Sequence, residues 1–323
     1  MTALALLIAG LIALLAGAEL LTRAGARVAA GLNIPPIVIG LTIVAIGTSA
    51  PELAVGIQAA RSGFGDLAVG NIAGTNMVNL LLILGLSALM RPVILHARTL
   101  RWDAPMMALA ALALLLLALD ARLTVADGAI LLAIALGYSV LIVLASRGET
   151  ALVLAEYAEE TPPPPRRFGP AMLLQMAALL AGIVVVVLGA EWLVRGAVVV
   201  AAQVGVSDAV IGLTIVAIGT SAPELATSVV STIRNRHRDI AIGNLVGSTV
   251  YNVSLILGAS ALAGGNSLTL EAPLVRVDIP LMTLAVFACV PVFVTGRRVS
   301  RIEGGLFVAA YAAYLAYLIA ART

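Results

Sequence analysis

The stretch VIGLTIVAIGTSAPELA occupies residues 38–54 and occurs again, letter for letter, at residues 210–226. Each copy holds a serine, a proline and a glutamate inside an otherwise apolar run. A carboxylate is costly in an apolar environment, and where one is kept there it usually has a functional role. The repetition therefore predicts that Glu52 and Glu224 serve one site together.

The composition is typical of a protein embedded in a membrane. Hydrophobic residues make up 61% of the 323 residues and charged residues only 11%, whereas soluble domains are about 25% charged. The net charge of +2 does not indicate nucleic-acid binding, because the basic residues, all arginines, are scattered at the ends of apolar segments. The one cysteine, Cys289, excludes an internal disulfide and is expected to be a small buried hydrophobe.

Apolar runs of spanning length predict ten transmembrane helices and an all-α integral membrane fold. About 17–25 residues are needed to cross the bilayer as a helix. The runs lie near 3–30, 36–60, 66–90, 104–120, 126–146, 170–202, 208–233, 239–263, 278–296 and 302–321. Between the fifth and sixth runs the chain reads TPPPPRR, and consecutive prolines cannot continue a helix. A stiff, extended linker is expected there.

The second half of the chain repeats the first beyond the opening stretch. GNIAGTNMVNLLLILGLSAL at 70–89 aligns with GNLVGSTVYNVSLILGASAL at 243–262, and GAELLTR at 17–23 with GAEWLVR at 189–195. Each half has five predicted helices, an odd number, so the second half must enter the membrane in the opposite direction. Inverted repeats of this kind recur in secondary transporters, with the binding site near the bilayer midplane.

The arginines predict the orientation. With the N-terminus outside, fourteen of the nineteen basic residues fall on the inner side, and the other five are Arg61, Arg122, Arg195, Arg276 and Arg322. Basic residues are enriched on the cytoplasmic side. We therefore expect both termini outside, in the cytoplasmic (inner) membrane. The predicted domains are a first repeat at 1–146, a cytoplasmic proline-rich linker at 147–169 and a second repeat at 170–323.

The proline of each opening stretch predicts a broken helix. Pro51 has no N–H, so the carbonyl of Gly47 loses its helical partner. At membrane depth such a break is tolerated only where it faces protein or a water-filled cavity. The groups expected to converge at the breaks belong to Ala45, Thr48, Ser49 and Glu52 in the first copy and to Ala217, Thr220, Ser221 and Glu224 in the second.

The next helix of each half carries a polar pair. Thr75 and Asn79 are spaced i,i+4, as are Ser248 and Asn252, so each pair projects from one stripe. Hydroxyl, amide and carboxylate oxygens without Cys or His suit Ca²⁺ and Na⁺ and argue against Zn²⁺ or Cu⁺. Two glutamates balance one divalent cation, two monovalent cations or two protons. With no Walker-A motif, an exchanger driven by an ion gradient is predicted, and the driving ion stays open.

At these residues the sequence resembles the cation/Ca²⁺ exchanger superfamily, and most closely the prokaryotic sodium/calcium exchangers. The doubled GTSAPE motif and the G-[ST]-x-x-x-N pattern carry the resemblance, which extends over the whole chain. It implies that Glu52 and Glu224 are the central Ca²⁺ ligands, helped by the carbonyls of Thr48 and Thr220. It also implies flanking Na⁺ sites formed by Ser49, Ser221, Thr75, Ser248 and the carbonyls of Ala45 and Ala217.

The resemblance further implies alternating access, in which helices 1 and 6 slide as a pair past a core that holds the ions. Glu19 and Glu191 lie on that pair with Arg23 and Arg195 at i+4, and we expect each to pair within its own helix. Some members of the superfamily have an aspartate at the position of Asn252. The neutral residues Asn79 and Asn252 disfavour a K⁺-dependent site and leave the stoichiometry open.

The leading hypothesis is a Na⁺/Ca²⁺ antiporter, and a H⁺-coupled Ca²⁺ antiporter is the alternative, since buried glutamates can carry protons. GNIAG and GNLVG lack the acid that follows GN in related Ca²⁺/H⁺ exchangers, which favours Na⁺. A passive channel is a remote alternative because channels usually ring a pore with repeated subunits. An enzyme is not expected, since no nucleophile–base pair is visible. No resident cofactor is expected; the partners are transported Ca²⁺ and Na⁺ and the lipid bilayer, and a monomer is expected to function.

Overall fold

The structure of the protein is a computed structural model. It describes residues 2–32, 36–95, 99–146, 169–203, 219, 221–234 and 238–322. Two of the predicted site residues, Ala217 and Thr220, lie outside the described residues. So do most of the predicted linker and the first part of the predicted seventh helix, up to residue 218.

Helices account for most of the described chain. They are α1 (Thr2–Leu32), α2 (36–48), α3 (Ala50–Arg61), α4 (Gly65–Met90), α5 (Thr99–Leu117), α6 (Val125–Ser146), α7 (Pro170–Gln203), α8 (Ala222–Arg234), α9 (238–263), α10 (Leu274–Gly296) and α11 (Arg301–Arg322). Within the described ranges, eight helices are long and apolar enough to span a membrane, and the bent pair α2–α3 makes nine if it counts as one broken span.

Large apolar side chains on the outer helices are open to the surroundings. Leu136, Leu174 and Leu284 are 63–68% exposed. A soluble protein rarely exposes broad apolar surfaces, whereas lipid requires them. Together with the apolar helices, these side chains confirm the prediction of a helical integral membrane protein with several crossings.

Two helices begin four or five residues earlier than predicted. α5 starts at Thr99 rather than 104 and α10 at Leu274 rather than 278, because each opens with a π-helical turn, Thr99–Asp103 and Leu274–Asp278. These turns contain the charged residues of an R-x-D-x-P pattern at 101–105 and 276–280. The charged residues end the apolar runs from which the helices were predicted. The R-x-D-x-P pattern, a further repeat between the two halves, was therefore not predicted.

The two most buried helices, α4 and α9, contain π-helical turns at matching places. They cover Val78–Ile83 in α4 and Asn252–Ile256 in α9. π-Helical turns inside α-helices occur frequently at functional sites. Here each one carries a predicted site asparagine, Asn79 or Asn252.

Two short antiparallel ribbons, which the sequence did not predict, join loops from the two halves of the chain. β1 (Val93–Ile94) pairs with β4 (Arg298–Val299), and β2 (Arg122–Thr124) pairs with β3 (Ser267–Thr269). β1 follows α4 as β3 follows α9, and β2 precedes α6 as β4 precedes α11. By position in the two halves, β1 corresponds to β3 and β2 corresponds to β4, so the two ribbons are repeat counterparts of each other.

The helices after β2 and β4 begin with the same reciprocal cap. The Ser300 N–H donates to Glu303 Oε2 at 2.7 Å, and the Glu303 N–H donates back to Ser300 Oγ at 3.3 Å. Thr124 and Asp127 make the same pair of bonds at 2.8 and 3.2 Å. Each cap satisfies backbone donors that the first helical turn leaves open.

The described chain divides into two compact units that interleave the two halves. The first unit comprises Met1–Thr48, Ile142–Leu245 and Tyr314–Thr323, and the second comprises Ser49–Leu141 and Val246–Ala313. One boundary falls between Thr48 and Ser49, inside the repeated GTS sequence. The compact units are thus a different division of the chain from the predicted sequence repeats.

In the first unit, α1 packs along α7 at very short range. A Cβ added at Gly17 would lie 2.9 Å from the backbone nitrogen of Val186, and one added at Gly189 would lie 2.8 Å from that of Leu14. Only glycine permits such an approach. α8 joins the pair through Ala222, Ala226 and Val230, which are spaced by four residues and lie on one stripe of the helix.

In the second unit, α4 forms the centre of the packing. α3 packs on α4 and on the last turns of α9, where Gly56 leaves room for Ser260 Oγ. α10 packs on α5 and on α4. The polar residues of α4 and α9 are therefore enclosed by protein.

Candidate cation-binding site

The repeated stretch is interrupted at the serine of its first copy. In the first, α2 ends at Thr48, Ser49 lies in a turn, and α3 begins at Ala50 with the Leu53 N–H donating to the Ser49 carbonyl at 3.1 Å. In the second, Ser221 lies in a turn before α8, and the Leu225 N–H donates to the Ser221 carbonyl at 3.0 Å. The predicted interruption is present in the first copy, whereas most of the residues that precede Ser221 in the second copy lie outside the described part of the chain.

All ten predicted site residues that the structure describes are buried, each with at most 1% of its surface exposed. They are Ala45, Thr48, Ser49, Glu52, Thr75, Asn79, Ser221, Glu224, Ser248 and Asn252. Burying a carboxylate away from water is expensive unless compensating charge or hydrogen bonds are present. A buried carboxylate in a membrane protein is by default a candidate for a functional role, and Glu52 and Glu224 each meet that description.

In the first unit, hydrogen bonds connect Thr48 to the second copy of the stretch. The Thr48 hydroxyl lies 3.0 Å from Asn244 Oδ1, and Asn244 Nδ2 donates to Thr227 Oγ1 at 3.1 Å. The Thr227 hydroxyl in turn donates to the backbone carbonyl of Glu224 at 3.0 Å. Asn244 thus fixes the end of α2 relative to the turn that carries Glu224.

In the second unit, two site residues of α9, Ser248 and Asn252, make hydrogen-bond contacts with Ser49 and with Asn76 of α4. The Ser49 hydroxyl lies 3.3 Å from Ser248 Oγ. Asn252 Nδ2 donates to Asn76 Oδ1 at 3.0 Å, and Asn76 Nδ2 donates to the Thr249 carbonyl at 3.1 Å. Glu52 belongs to this unit, whereas Glu224 belongs to the first.

Several buried polar atoms of the second unit have no hydrogen-bond partner among the described residues. Among the predicted site residues they include Thr75 Oγ1, both amide atoms of Asn79 and Asn252 Oδ1. A buried polar group without a partner is destabilising, and native proteins rarely leave one without a reason. The oxygens among these atoms are of the type that Na⁺ and Ca²⁺ take as ligands.

The comparisons with known proteins agree with this chemistry. The family described as "Sodium/calcium exchanger protein" matches residues 2–144 and 174–320, one segment in each half of the chain. The chain belongs to the sodium/calcium exchanger protein family. This resemblance, predicted from the doubled GTSAPE motif, is confirmed.

Two relatives are similar to this chain over most of their length. The chain is 35% identical over 310 residues to a putative antiporter, CaxA, of Alkalimonas amylolytica, covering 94% of this chain and 95% of the relative. It is 38% identical over 267 residues to the inner membrane protein YrbG of Escherichia coli, covering 80% and 79%. Among solved structures, the sodium-calcium exchanger NCX_Mj soaked with sodium and without calcium superposes with a TM-score of 0.83 at 27% identity, covering 98% and 99%.

Sequence reasoning did not identify three residues of the hydrogen-bond networks around the candidate site, Asn76, Thr227 and Asn244. Asn76 and Thr227 have no identical counterpart in the other half, where Thr249 and Val55 stand. A search for repeated polar residues therefore passes over them. Asn244 does have a repeated counterpart, Asn71, in the GN pair of each half, and that repetition was the signal that could have found it.

The charged residues on the paired helices α1 and α7 behave as predicted. Glu19 pairs with Arg23, and Glu191 pairs with Arg195, each four residues along the same helix. The arginine side chains are 53% and 67% exposed, so each pair contributes little to stability.

Proposed function

We propose that this chain is a secondary active antiporter that exchanges Na⁺ for Ca²⁺ across the cytoplasmic membrane. One observation carries the proposal: two stretches of identical sequence, in a chain of the sodium/calcium exchanger family, each bury a glutamate completely. Solved structures of the sodium-calcium exchanger NCX_Mj, which has the same overall fold, concern ion exchange and occlusion of its binding site after soaking with Na⁺ and either Ca²⁺ or Sr²⁺. This supports these ions as cargo.

The proposed site is assembled from both copies of the stretch. Glu52 and Glu224 act as the central Ca²⁺ ligands, with the carbonyls of Thr48 and Thr220. The flanking Na⁺ ligands and supporting groups are Ser49, Ser221, Thr75, Ser248, Asn79, Asn252 and the carbonyls of Ala45 and Ala217. The burial of the described members and their oxygen chemistry support this assignment.

Charge balance explains why such a site exchanges its cargo. Two ionised glutamates neutralise one Ca²⁺ or two Na⁺, so either cargo leaves a filled site of similar charge. An empty site would hold two buried negative charges without the cation that balances them, which is unfavourable. The protein then changes orientation more readily when loaded, as coupled exchange requires. Ca²⁺ and Na⁺ are cargo in this scheme, and no resident cofactor takes part.

The proposed architecture is ten helices in two inverted repeats, residues 1–146 and 170–323, with the linker 147–169 in the cytoplasm and both termini outside. The two ribbons related by exchange of the halves and the matching π-helical turns support the repeats. The arginine distribution supports the orientation. The name of the E. coli relative, an inner membrane protein, supports the location. We expect a monomer to suffice, with α1 and α7 moving as the pair that changes access.

Uptake of radioactive calcium into Na⁺-loaded proteoliposomes, diluted into Na⁺-free buffer, tests the function. We expect uptake that requires internal Na⁺ and disappears when a Na⁺ ionophore dissipates the gradient. A parallel set of vesicles carries a pH gradient without Na⁺. Uptake that follows the pH gradient and ignores Na⁺ would replace the proposal with a H⁺-coupled Ca²⁺ antiporter. Calcium flux with no dependence on either gradient would indicate a passive pathway.

A further inference from the structure

The amide of Asn76 has only one possible orientation. Its Nδ2 lies 3.1 Å from the Thr249 backbone carbonyl, and a carbonyl oxygen only accepts hydrogen bonds. The Asn76 NH₂ group must therefore face Thr249, which turns Asn76 Oδ1 toward Asn252. Because Asn76 is fully buried, no water competes for either group.

The orientation of Asn76 determines that of Asn252. Asn76 Oδ1 accepts a hydrogen bond from Asn252 Nδ2 at 3.0 Å. The NH₂ group of Asn252 is thereby committed to Asn76, and its Oδ1 has no hydrogen-bond partner among the described residues. Asn252 is also fully buried. What this amide presents away from Asn76 is an oxygen, the atom that can coordinate a cation.

We infer that Asn76 is a positioning and specificity-determining residue: through the relay Thr249–Asn76–Asn252 it presents Asn252 as a neutral oxygen ligand and selects against a carboxylate at that position. This inference rests on the proposed function, in which Asn252 belongs to the cation site. Asn76 itself is not a ligand, since both of its amide atoms are occupied within the relay.

Selection against a carboxylate follows from the acceptor count. An aspartate at position 252 has no N–H to donate, so its oxygens would face Asn76 Oδ1, acceptor against acceptor. Rotating the Asn76 amide would relieve that contact but would place Oδ1 against the Thr249 carbonyl. Either arrangement leaves a buried acceptor opposed to another acceptor, which is unfavourable. The relay therefore keeps the site at two negative charges.

The other half of the chain lacks this relay. Asn79 is the repeat counterpart of Asn252, but the position corresponding to Asn76 is occupied by Thr249. Both amide atoms of Asn79 are without a hydrogen-bond partner in the described part of the chain. The Asn79 amide is thus free to present either its oxygen or its NH₂ group. This difference supplies an internal control for the inference.

A double-mutant cycle tests the relay. Equilibrium Ca²⁺ binding in detergent and the apparent KM for Ca²⁺ in proteoliposomes are measured for the wild type, Asn76→Thr, Asn252→Asp and the double variant. Threonine is the residue that the other repeat uses, and its hydroxyl can donate to a carboxylate. Asn76→Thr alone should weaken Ca²⁺ binding by about fivefold to tenfold because the Asn252 amide loses its anchor. The double variant should bind Ca²⁺ at least about fivefold better than the two single changes predict by additivity.

The matched cycle uses Asn79→Asp in place of Asn252→Asp. The coupling in this cycle should be at least about threefold weaker than in the Asn252 cycle, because no hydrogen bond joins the Asn79 amide to Asn76 in the described part of the chain. Additive behaviour in the Asn252 cycle, or equal coupling in the Asn79 cycle, would overturn the inference. A purely structural Asn76 would lower the maximal rate while leaving the Ca²⁺ dissociation constant unchanged, and that result would overturn it as well. Asn76→Ser repeats the cycle with a smaller hydroxyl residue in case the threonine variant folds poorly.

The same measurements separate this inference from the proposed function. Direct Ca²⁺ binding does not depend on the driving ion, so the coupling between positions 76 and 252 stands even if transport proves to follow protons. A wild-type protein that binds no Ca²⁺ would refute both.

Discussion

The two central helices, α4 and α9, come from equivalent places in the two repeats and yet hold their polar residues differently. They share the glycine spacing, the hydroxyl–asparagine pair and a π-helical turn. In α9, Asn252 is anchored by Asn76 and Asn244 is anchored by Thr227. In α4, the counterparts Asn79 and Asn71 have amide nitrogens without a hydrogen-bond partner among the described residues. The duplicated sequence has thus kept the hydroxyl–asparagine pair in both helices, while the contacts that support the asparagines differ.

This difference suggests that Asn252 and Asn79 contribute differently to cation binding. A ligand whose orientation is fixed before binding loses less entropy when the ion arrives, and so contributes more affinity. A ligand without an anchor can adapt to ions of different size and charge. An exchanger that accepts both Na⁺ and Ca²⁺ benefits from one half of each kind. Where the repeats agree, substitutions should have equal effects; where they differ, the effects should be unequal.

The largest expected effect falls on the repeated glutamates. Glu52→Gln and Glu224→Gln should each reduce Na⁺-driven Ca²⁺ uptake by at least about a hundredfold, about 2.7 kcal/mol, because each removes half of the charge that balances Ca²⁺. Uptake into proteoliposomes measures this loss. Glu271→Gln, a change at an exposed glutamate, is the control and should leave the rate unaltered. A glutamine variant of either site glutamate that transports normally would break the equivalence of the two halves.

Next in size is the contact between α1 and α7, where the repeats agree. Gly17→Ala and Gly189→Ala should each destabilise the protein by about 1–3 kcal/mol, since either methyl group would be forced against a backbone nitrogen. Thermal unfolding in detergent gives the comparison. Gly137→Ala is the matched control, because no neighbouring atom lies within 4 Å of its Cβ position. Destabilisation of Gly137→Ala to the same extent would show that helix propensity, and not the contact, is being measured.

A smaller and unequal effect is expected at Thr227. Thr227→Val should destabilise the protein by about 1–2 kcal/mol because Asn244 Nδ2 loses its buried acceptor. Val55→Thr makes the reverse change in the other repeat, where no such bond exists, and should not destabilise comparably. Unfolding temperatures of the two variants, side by side, measure the asymmetry. Equal losses would mean that the Thr227–Asn244 bond contributes nothing specific.

The smallest effect should come from the helix caps, where the repeats agree again. Thr124→Ala and Ser300→Ala each remove a reciprocal cap and should cost about 0.5–2 kcal/mol. The two losses should match within experimental error and leave the apparent KM for Ca²⁺ unchanged. A change in KM for either variant would connect these loops to the site.

Much of this fold and site can be predicted from the sequence, because the features concerned are repeated or periodic. The apolar runs mark most of the spans, and the proline after Ser49 marks the break. The repeated glutamates single out the candidate site, and the structure shows that both are buried. In each case one local rule suffices.

What the sequence does not reveal depends on contacts between distant residues. Asn76 and Asn252 are 176 positions apart, and nothing in either residue indicates that their amides meet. The ribbons are also invisible, because strands of two or three residues leave no periodic pattern. The π-helical turns preserve the apolar character of an α-helix, so hydropathy cannot distinguish them. The repeated R-x-D-x-P pattern, by contrast, is visible in the sequence, but it lies at the margin of the apolar runs on which the helix predictions depend.

The two ribbons bear on how the chain is made. β1 emerges early in translation, but its partner β4 lies more than 200 residues later, and β2 likewise waits for β3. The first half therefore leaves the ribosome with two strands whose observed partners both lie in the second half. Each half holds one strand of each ribbon, so both ribbons form only when the two halves come together. Co-expressed as separate polypeptides, they should reassemble into an active protein, whereas either half alone should be degraded.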